Sequence, residues 1–120
     1  MNYNAQQLAE TTNAILLIRH WEEENLPLDG SKLVYDLLTL CVHYYASDVP
    51  LTIKHLNLLL SQYSQAGIRN QLRRCVRDGW LKIIASDSDK RSRLIVVEHK
   101  LLCSMQKYVE LLRDSHAQSN

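Results

Sequence analysis

The side chains with the most evident binding chemistry are the guanidinium, amide and hydroxyl groups clustered between residues 52 and 93. An arginine can donate two hydrogen bonds to the O6 and N7 atoms of guanine, and asparagine or glutamine suits adenine. Hydroxyl groups at helix N-termini and further basic side chains bind phosphate oxygens. Together they indicate a nucleic-acid contact surface, although each one alone is ordinary on a solvated surface. The candidate contacts are Thr52, Ser64, Gln65, Ala66, Arg69, Asn70, Arg73, Arg74, Lys90, Arg91 and Arg93.

Charge is unevenly distributed along this chain of 120 residues, whose net charge is only +1. Residues 62–97 contain eight basic and three acidic residues, a net charge of +5. The remainder contains six basic and ten acidic residues, a net charge of −4. Positive charge concentrated in one third of a nearly neutral protein is typical of a nucleic-acid face. Charge alone leaves open a basic surface that has no partner.

The sequence favours a binding protein over an enzyme. The five histidines form no H-E-x-x-H motif, and the chain contains no P-loop, no G-x-G-x-x-G and no nucleophile elbow. The cysteines are odd in number and lack C-x-x-C spacing, which predicts free thiols in a reducing compartment rather than disulfides or zinc. We therefore expect no catalysis, cofactor or metal, no membrane span or secretory signal, and a cytoplasmic location.

The candidate contacts must be positioned by helices, and four helices are predicted to follow a side chain that can cap an N-terminus: Asn4, Ser31, Thr52 and Ser64. The third and fourth helices, separated by the turn at 61–63, have the arrangement of a helix-turn-helix. In the fourth helix, Ile68, Leu72, Cys75 and Val76 recur at helical spacing and predict a buried stripe. Gly79 is placed to end this helix.

From Trp80 the pattern changes to that of a β-hairpin, with strands at 80–84 and 94–97 and a polar loop at 85–93 between them. A last helix is predicted from about Glu98, followed by a frayed polar tail at 115–120. The expected fold class is mainly α with a small β-hairpin (α+β). It is a winged helix-turn-helix with flanking N- and C-terminal helices.

We expect a single domain, 1–120, made of a helical arm at 1–48, the winged helix-turn-helix at 49–97, and a C-terminal helix and tail at 98–120. The first and last helices carry more apolar surface than a small winged helix needs, which indicates a dimerisation arm. Some of these side chains close the core of the single chain instead. The interface candidates are Leu8, Ile15, Leu16, Leu101, Met105, Tyr108, Val109 and Leu112.

Three stretches resemble MarR-type winged-helix transcriptional regulators: 51–56 (LTIKHL), 63–69 (YSQAGIR) and 72–80 (LRRCVRDGW). The loop at 87–94 (DSDKRSRL) is similar to the D-[KR]-R wing motif of that family, with Asp89 and Arg91 at the motif positions. The resemblance covers about residues 51–102. Trp80 stands where the family often has an aliphatic residue.

The resemblance implies a homodimer that binds a roughly palindromic double-stranded DNA site and regulates transcription, as a repressor that occupies its operator. The helix after Ser64 would enter the major groove and place Gln65, Ala66, Arg69 and Asn70 near the bases. At the wing, Arg91 would enter a minor groove, oriented by Asp89 and flanked by further basic charge.

The resemblance also implies a small-molecule effector for many relatives. The side chains that could line its pocket are His43, Tyr44, Tyr45 and Trp21, although aromatic residues on helices are more often core. Cys41 or Cys103 could sense oxidants if exposed.

A protein-interaction module is the alternative function, because winged helices also bind partner proteins and the fold alone does not decide. The feature that discriminates is the wing. Its three basic residues, Lys90, Arg91 and Arg93, follow a basic helix and favour DNA.

Overall fold

The computed structural model describes residues 2–88 and 91–118, and this part of the chain contains five helices and a two-stranded antiparallel sheet. In chain order the elements are α1 (Ala5–Asn25), α2 (Lys32–Ala46), α3 (Ile53–Leu59), α4 (Gln65–Arg77), β1 (Leu81–Ala85), β2 (Arg93–Val97) and α5 (His99–Gln118). The order confirms the predicted mainly α fold class, a winged helix-turn-helix with a helix at each end.

Capping side chains explain where the first four helices begin. Each accepts a hydrogen bond from the backbone N–H three residues later: Asn4 from Gln7 (3.1 Å), Ser31 from Val34 (3.3 Å), Thr52 from His55 (3.0 Å) and Ser64 from Gly67 (3.0 Å). Each bond satisfies a donor that has no partner within its helix. All four predicted caps are confirmed.

Residues Gly30–Leu102 form one compact unit, which contains the winged helix. In this unit α2 packs against β2 and α4, and α4 packs against β1. Removing a large aliphatic side chain from water contributes about 1.5–3 kcal/mol, so this core holds α4 in place. Its most fully buried side chains are Val34, Leu37, Leu38, Leu56, Leu60, Ile68, Leu81 and Leu101.

The sheet has two full strands and one short addition. β1 and β2 pair antiparallel, with Ile83 opposite Ile95. The segment before α3 adds a short pairing on the other side of β2, where the Ile95 N–H donates to the Leu51 carbonyl at 2.9 Å and Thr52 pairs with Leu94. The wing is thereby joined to the start of the helix-turn-helix.

α2 belongs to the winged-helix unit, whereas the sequence suggested an N-terminal arm that includes it and ends at residue 48. The reason is the wide apolar surface of α2, which packs against β2 and α4 and is buried at Val34, Leu37, Leu38 and Cys41. The unit begins instead after Asp29. Asp29 and Gly30 have positive φ angles of 48° and 73° there and turn the chain into α2.

The second unit consists of the residues up to Asp29 and those from Cys103 onward, that is, α1 and most of α5. The ring of Trp21 packs edge-to-face on that of Tyr108, with centroids 5.5 Å apart. Beside them, the buried Glu22 carboxylate accepts a 3.4 Å hydrogen bond from the Tyr108 hydroxyl. Burial raises the pKa of Glu22, because its charged form loses water.

α5 continues to Gln118, so the helix extends beyond residue 115, where the sequence predicted the start of a polar tail. No glycine or proline follows Leu112, and nothing in the sequence therefore interrupts the helix. Across residues 2–88 and 91–118, no helix combines the length and apolarity that crossing a bilayer requires.

Candidate nucleic-acid interface

α4 has one buried side and one exposed polar side. Ile68, Leu72 and Cys75 are buried, as the sequence pattern predicts, whereas Val76, the fourth residue of the predicted stripe, is half-buried. The exposed side chains lie mainly on the opposite side, as the 3.6-residue helical period requires. They are Gln65, Ala66, Arg69, Asn70, Arg73 and Arg77. The first two turns therefore present two amides and one guanidinium to solvent, which are the groups that hydrogen-bond base edges.

The N-terminal end of α4 combines a tight cap with access from solvent. The exposed Ser64 accepts the Gly67 N–H at 3.0 Å. A Cβ added at Gly67 would lie only 3.0 Å from the Ser64 Oγ and 3.6 Å from Leu33, so glycine keeps the cap compact. First-turn N–H groups and the positive end of the helix dipole make such an end suitable for a phosphate.

The turn that leads into α4 is anchored to α2. The Tyr63 hydroxyl donates a 2.7 Å hydrogen bond to the Asp36 carboxylate, and both side chains are half-buried. This hydrogen bond raises the pKa of Tyr63, because ionisation would remove the donor and place two negative charges together. The N-terminal end of α4 is thus fixed by a polar contact between residues that are distant in sequence.

The C-terminal end of α4 is held by two structures. One is a Schellman turn, in which Gly79 has φ +82° and the Trp80 N–H donates to the Cys75 carbonyl at 2.9 Å. The predicted end of the helix at Gly79 is confirmed. The other is Lys100 of α5, whose Nζ donates to the Asp78 carbonyl at 3.0 Å and lies 4.1 Å from the centroid of the Trp80 ring.

The Asp78 carboxylate lies among basic side chains that stabilise its charged form. The Arg77 Nε contacts its Oδ1 at 3.1 Å. This hydrogen bond, with the charges of Arg77, Arg74 and Lys100, lowers the pKa of Asp78. Arg77 thus forms a salt bridge with the neighbouring Asp78. Arg74 is half-buried, which leaves it less exposed than Arg73 on the same helix.

The wing carries exposed arginines on a hairpin that extends beyond the sheet. The Ser86 N–H donates to the Ser92 carbonyl at 3.0 Å, one step past the paired strands. Arg93 on β2 and Arg91 just before it are exposed. Two positions of the predicted wing motif lie outside the described residues: Asp89 and Lys90.

Thr52 has a mainly structural position. Its hydroxyl oxygen accepts the His55 N–H at 3.0 Å, its side chain is half-buried, and its backbone pairs with Leu94. It therefore connects the first turn of α3 to the strand that carries Arg93.

Six of the predicted contacts gather on and just before α4, on its exposed surface: Ser64, Gln65, Ala66, Arg69, Asn70 and Arg73. The sequence pattern did not indicate the residues that hold this helix, namely Lys100 and the Tyr63–Asp36 pair. The one available signal was Trp80, an aromatic residue at a position where the resembling family often has an aliphatic one.

The arm residues predicted to meet a second copy differ in exposure. Five of the eight expose large apolar side chains: Leu8, Ile15, Leu16, Val109 and Leu112. Met105 and Tyr108 are half-buried. Leu101 is 0% exposed, so the prediction that it lies at an interface is wrong. It sits in the first turn of α5, which is part of the core of the winged-helix unit.

A groove of about 460 Å³ lies in the winged-helix unit, between the C-terminal end of α2 and β2. Its walls are mostly apolar, and Asp48 is the charged residue that lines it. Of the four aromatic side chains predicted to line a pocket, Tyr45 borders this groove. Tyr44 packs edge-on against the ring of His55, with centroids 5.4 Å apart, and Trp21 packs on a tyrosine of α5.

The cysteines separate into buried and exposed groups. Burial raises the pKa of the Cys41 thiol to about 12 and that of Cys75 to about 11, whereas Cys103 is exposed. Thiols with such raised pKa values are poor nucleophiles at neutral pH. In the part of the chain that the structure describes, no three histidine, cysteine or acidic side chains gather in a group that could hold a metal ion.

No protein-family model matches the sequence, and no curated protein sequence matches it. Solved structures match over nearly the whole chain. The transcriptional regulator Tm0710 from Thermotoga maritima is 17% identical with a TM-score of 0.65, and the match covers 94% of this chain and 78% of that one. Wild-type MarR from E. coli is 18% identical with a TM-score of 0.60, and the match covers 99% of this chain and 84% of MarR.

A MepR variant from S. aureus, bound to an oligodeoxyribonucleotide, is 14% identical with a TM-score of 0.73, covering 98% of this chain and 82% of that one. At such identities the likeness establishes the fold. The resemblance to MarR-type winged-helix regulators is confirmed at that level.

Proposed function

We propose that this protein binds double-stranded DNA in a sequence-specific manner and thereby regulates transcription. The observation that carries the proposal is the exposed side of α4, where amide and guanidinium groups follow an accessible capped helix N-terminus. The oligodeoxyribonucleotide bound to the MepR variant supports the same use of this fold. The basic arginines of the wing favour DNA over a protein partner.

The roles follow from position along α4. Gln65, Arg69 and Asn70 lie in the first two turns and would read base edges in the major groove. Ser64 and the first-turn N–H groups would bind phosphate, as would Arg73 one turn further on. In the wing, Arg91 would enter the minor groove beside the backbone contacts of Lys90 and Arg93.

We propose further that the protein acts as a homodimer through its arm and represses by occupying an operator. The exposed leucine, isoleucine and valine side chains of α1 and α5 supply an apolar surface for a second copy. A two-fold dimer would place two α4 helices about 34 Å apart, one turn of DNA, and would read a roughly palindromic site.

The test of DNA binding is a salt series on a mixed pool of duplexes. We expect the logarithm of affinity to fall steeply with the logarithm of salt concentration, by about 0.9 for each phosphate contact. An Arg69→Ala, Arg91→Ala double variant should bind at least about tenfold more weakly, since one good base contact is worth about 1–3 kcal/mol.

The matched control removes the same charge elsewhere, in a Lys107→Ala, Arg113→Ala double variant at exposed positions of α5. Salt-insensitive binding, or equal losses in the two double variants, would contradict the proposal. A protein partner for the same surface would then be sought.

The test of dimerisation compares two leucines of nearly equal exposure, Leu16 on α1 (64%) and Leu58 on α3 (67%). In sedimentation velocity we expect Leu16→Glu to shift the protein from dimer to monomer, because the charge would have to be buried at the interface. We expect Leu58→Glu to leave the dimer intact. A monomeric wild-type protein, or the same shift in both variants, would overturn the dimer.

The groove favours a second function, the binding of a small effector. Its volume of about 460 Å³ and its apolar walls suit a small, largely apolar ligand. Its lining includes Leu51 and Leu94, which are adjacent in sequence to Thr52 and Arg93. A ligand in the groove would therefore contact both the start of the helix-turn-helix and the wing strand.

A naphthalene-sulfonate dye is a suitable probe for this groove. We expect Ala46→Phe, which places a ring at a lining position of the groove, to reduce dye fluorescence strongly. Thr39→Phe, at an exposed position of the same helix, should not do so. Equal fluorescence in both variants would place the dye elsewhere and exclude the groove as its site.

A further inference from the structure

The C-terminal end of α4 makes a set of contacts with α5 that do not involve the residues proposed to read DNA. Lys100, in the first turn of α5, donates to the Asp78 carbonyl at 3.0 Å and lies 4.1 Å from the centroid of the Trp80 ring. Next to these contacts, the Glu98 N–H donates to the Trp80 carbonyl at 3.1 Å. The segment that leaves α4 is therefore attached to the start of α5 at three points.

Each contact of Lys100 is favourable for a separate physical reason. Asp78 is the C-cap of α4, where carbonyl oxygens lack helical partners and the helix dipole is negative. An ammonium group at that end satisfies the carbonyl and the dipole together. Tryptophan is the strongest cation–π partner among the aromatic side chains, so Trp80 adds to the attraction for the same ammonium.

These contacts matter because α4 is held at both ends by side chains. The Tyr63–Asp36 hydrogen bond ties its N-terminal end to α2, and Lys100 ties its C-terminal end to α5. A helix that reads base edges must be placed within about 0.5 Å and 10–20° of its productive position. Loss of one of these side-chain contacts removes a restraint on that end of the helix, while its core side stays buried.

We propose that Lys100 is a positioning residue for DNA recognition, which orients α4 through the Asp78 carbonyl and the Trp80 ring and does not itself contact DNA. The inference rests on the proposed DNA-binding function. It also explains why an aromatic residue stands at position 80.

The experiment measures affinity for a duplex that the wild-type protein selects from a random pool, at several salt concentrations. The variants are Lys100→Met, Trp80→Leu and the double variant. We expect each single variant to bind about 3- to 10-fold more weakly, as expected for one cation–π contact and one hydrogen bond. The double variant should lose no more than Lys100→Met alone, because that substitution already removes both contacts of the ammonium group.

Two comparisons distinguish positioning from direct phosphate binding and from a general effect of charge. A lysine that binds phosphate reduces the salt slope by about 1 when it is removed. We expect Lys100→Met to leave the slope unchanged. Lys107→Met removes a charge at an exposed position of the same helix and should have no effect on affinity. Lys100→Arg should retain binding, since arginine keeps both the cation and the donor.

Thermal unfolding of each variant sets a temperature at which all are folded, so that any loss of affinity reports on the native protein. Unchanged affinity in Lys100→Met, a reduced salt slope, or additive losses in the double variant would each overturn the positioning role and leave the DNA-binding proposal standing. If the wild-type protein shows no salt-dependent DNA binding, both proposals are overturned.

Discussion

The hydroxyl of Tyr63 donates a 2.7 Å hydrogen bond to the Asp36 carboxylate across 27 residues of sequence. The pair joins the turn of the helix-turn-helix to α2, and it lies directly before the cap of α4. Because both side chains are half-buried, solvent competes only in part with this hydrogen bond. The bond therefore contributes both to stability and to the position of α4.

Removal of that hydroxyl should be measurable. We expect Tyr63→Phe to lower the free energy of unfolding, because the Asp36 carboxylate loses a charge-assisted hydrogen bond. Urea denaturation measures it. In an Asp36→Ala background the same substitution should cost much less, since its partner is already gone. Equal costs in the two backgrounds would show that the bond contributes nothing.

The pH dependence of stability should contain a contribution from Glu22. Burial raises its pKa above the ordinary value of 4.5. A carboxyl group with a raised pKa stabilises the fold while it is protonated. That contribution is complete below pH 4.5, the ordinary pKa, and it is lost as the pH rises through the raised pKa of Glu22 in the folded protein. Glu22→Gln should therefore be more stable than the wild type at neutral pH and little different in acid.

Thermal melts of the wild type and the variant, in acid and at neutral pH, test this expectation. The control is Glu23→Gln at the exposed neighbouring position. A stability difference for Glu22→Gln that stays constant across pH would count against a raised pKa.

The end of α2 offers a stabilising substitution. Asp48 has a φ of 57°, and its N–H donates to the Tyr45 carbonyl at 3.1 Å within a Schellman turn. Glycine adopts this left-handed conformation without the steric cost of a Cβ. We expect Asp48→Gly to raise the free energy of unfolding by up to about 1 kcal/mol.

The adjacent Ser47 is the matched control, because its φ of −86° is ordinary for any residue. Ser47→Gly should be destabilising by about 0.5–1 kcal/mol, since glycine loses more chain entropy there. Two substitutions of the same kind, one residue apart, should thus have opposite signs in denaturant titrations. Equal signs would rule out relief of backbone strain at Asp48.

The three thiols should differ sharply in reactivity. Cys41 and Cys75 are buried, with pKa values raised to about 12 and about 11, whereas Cys103 is exposed. We expect an aromatic disulfide reagent to titrate one thiol per native chain and three after unfolding. Cys103→Ser should reduce the native count to zero. Rapid labelling of a second thiol would indicate that the core opens easily.

The sequence predicts well what depends on neighbours along the chain. The four N-terminal caps, the buried stripe of α4 and the turn at Gly79 each rest on residues a few positions apart. Contacts between distant segments carry no such local pattern, which is why the Tyr63–Asp36 and Lys100–Trp80 pairs could not be predicted.

The assignment of α2 to the winged-helix unit could not be predicted for the same reason. Its apolar surface is wide enough for an arm or for a core, and only its packing on β2 and α4 decides. Leu101 shows the converse case. Its spacing matches the apolar side of α5, yet its position in the first turn buries it within one chain.

The short pairing of Thr52 with Leu94 also affects how copies of this chain behave in a crowded solution. Because β2 has partners on both sides there, the open edge of the described sheet belongs to β1. Open edges invite strands of other molecules and begin aggregation, and lysine is a common deterrent. β1 carries the exposed Lys82 beside Ile83 and Ile84. Its charge at the open edge disfavours pairing with a strand of another molecule, and so disfavours aggregation.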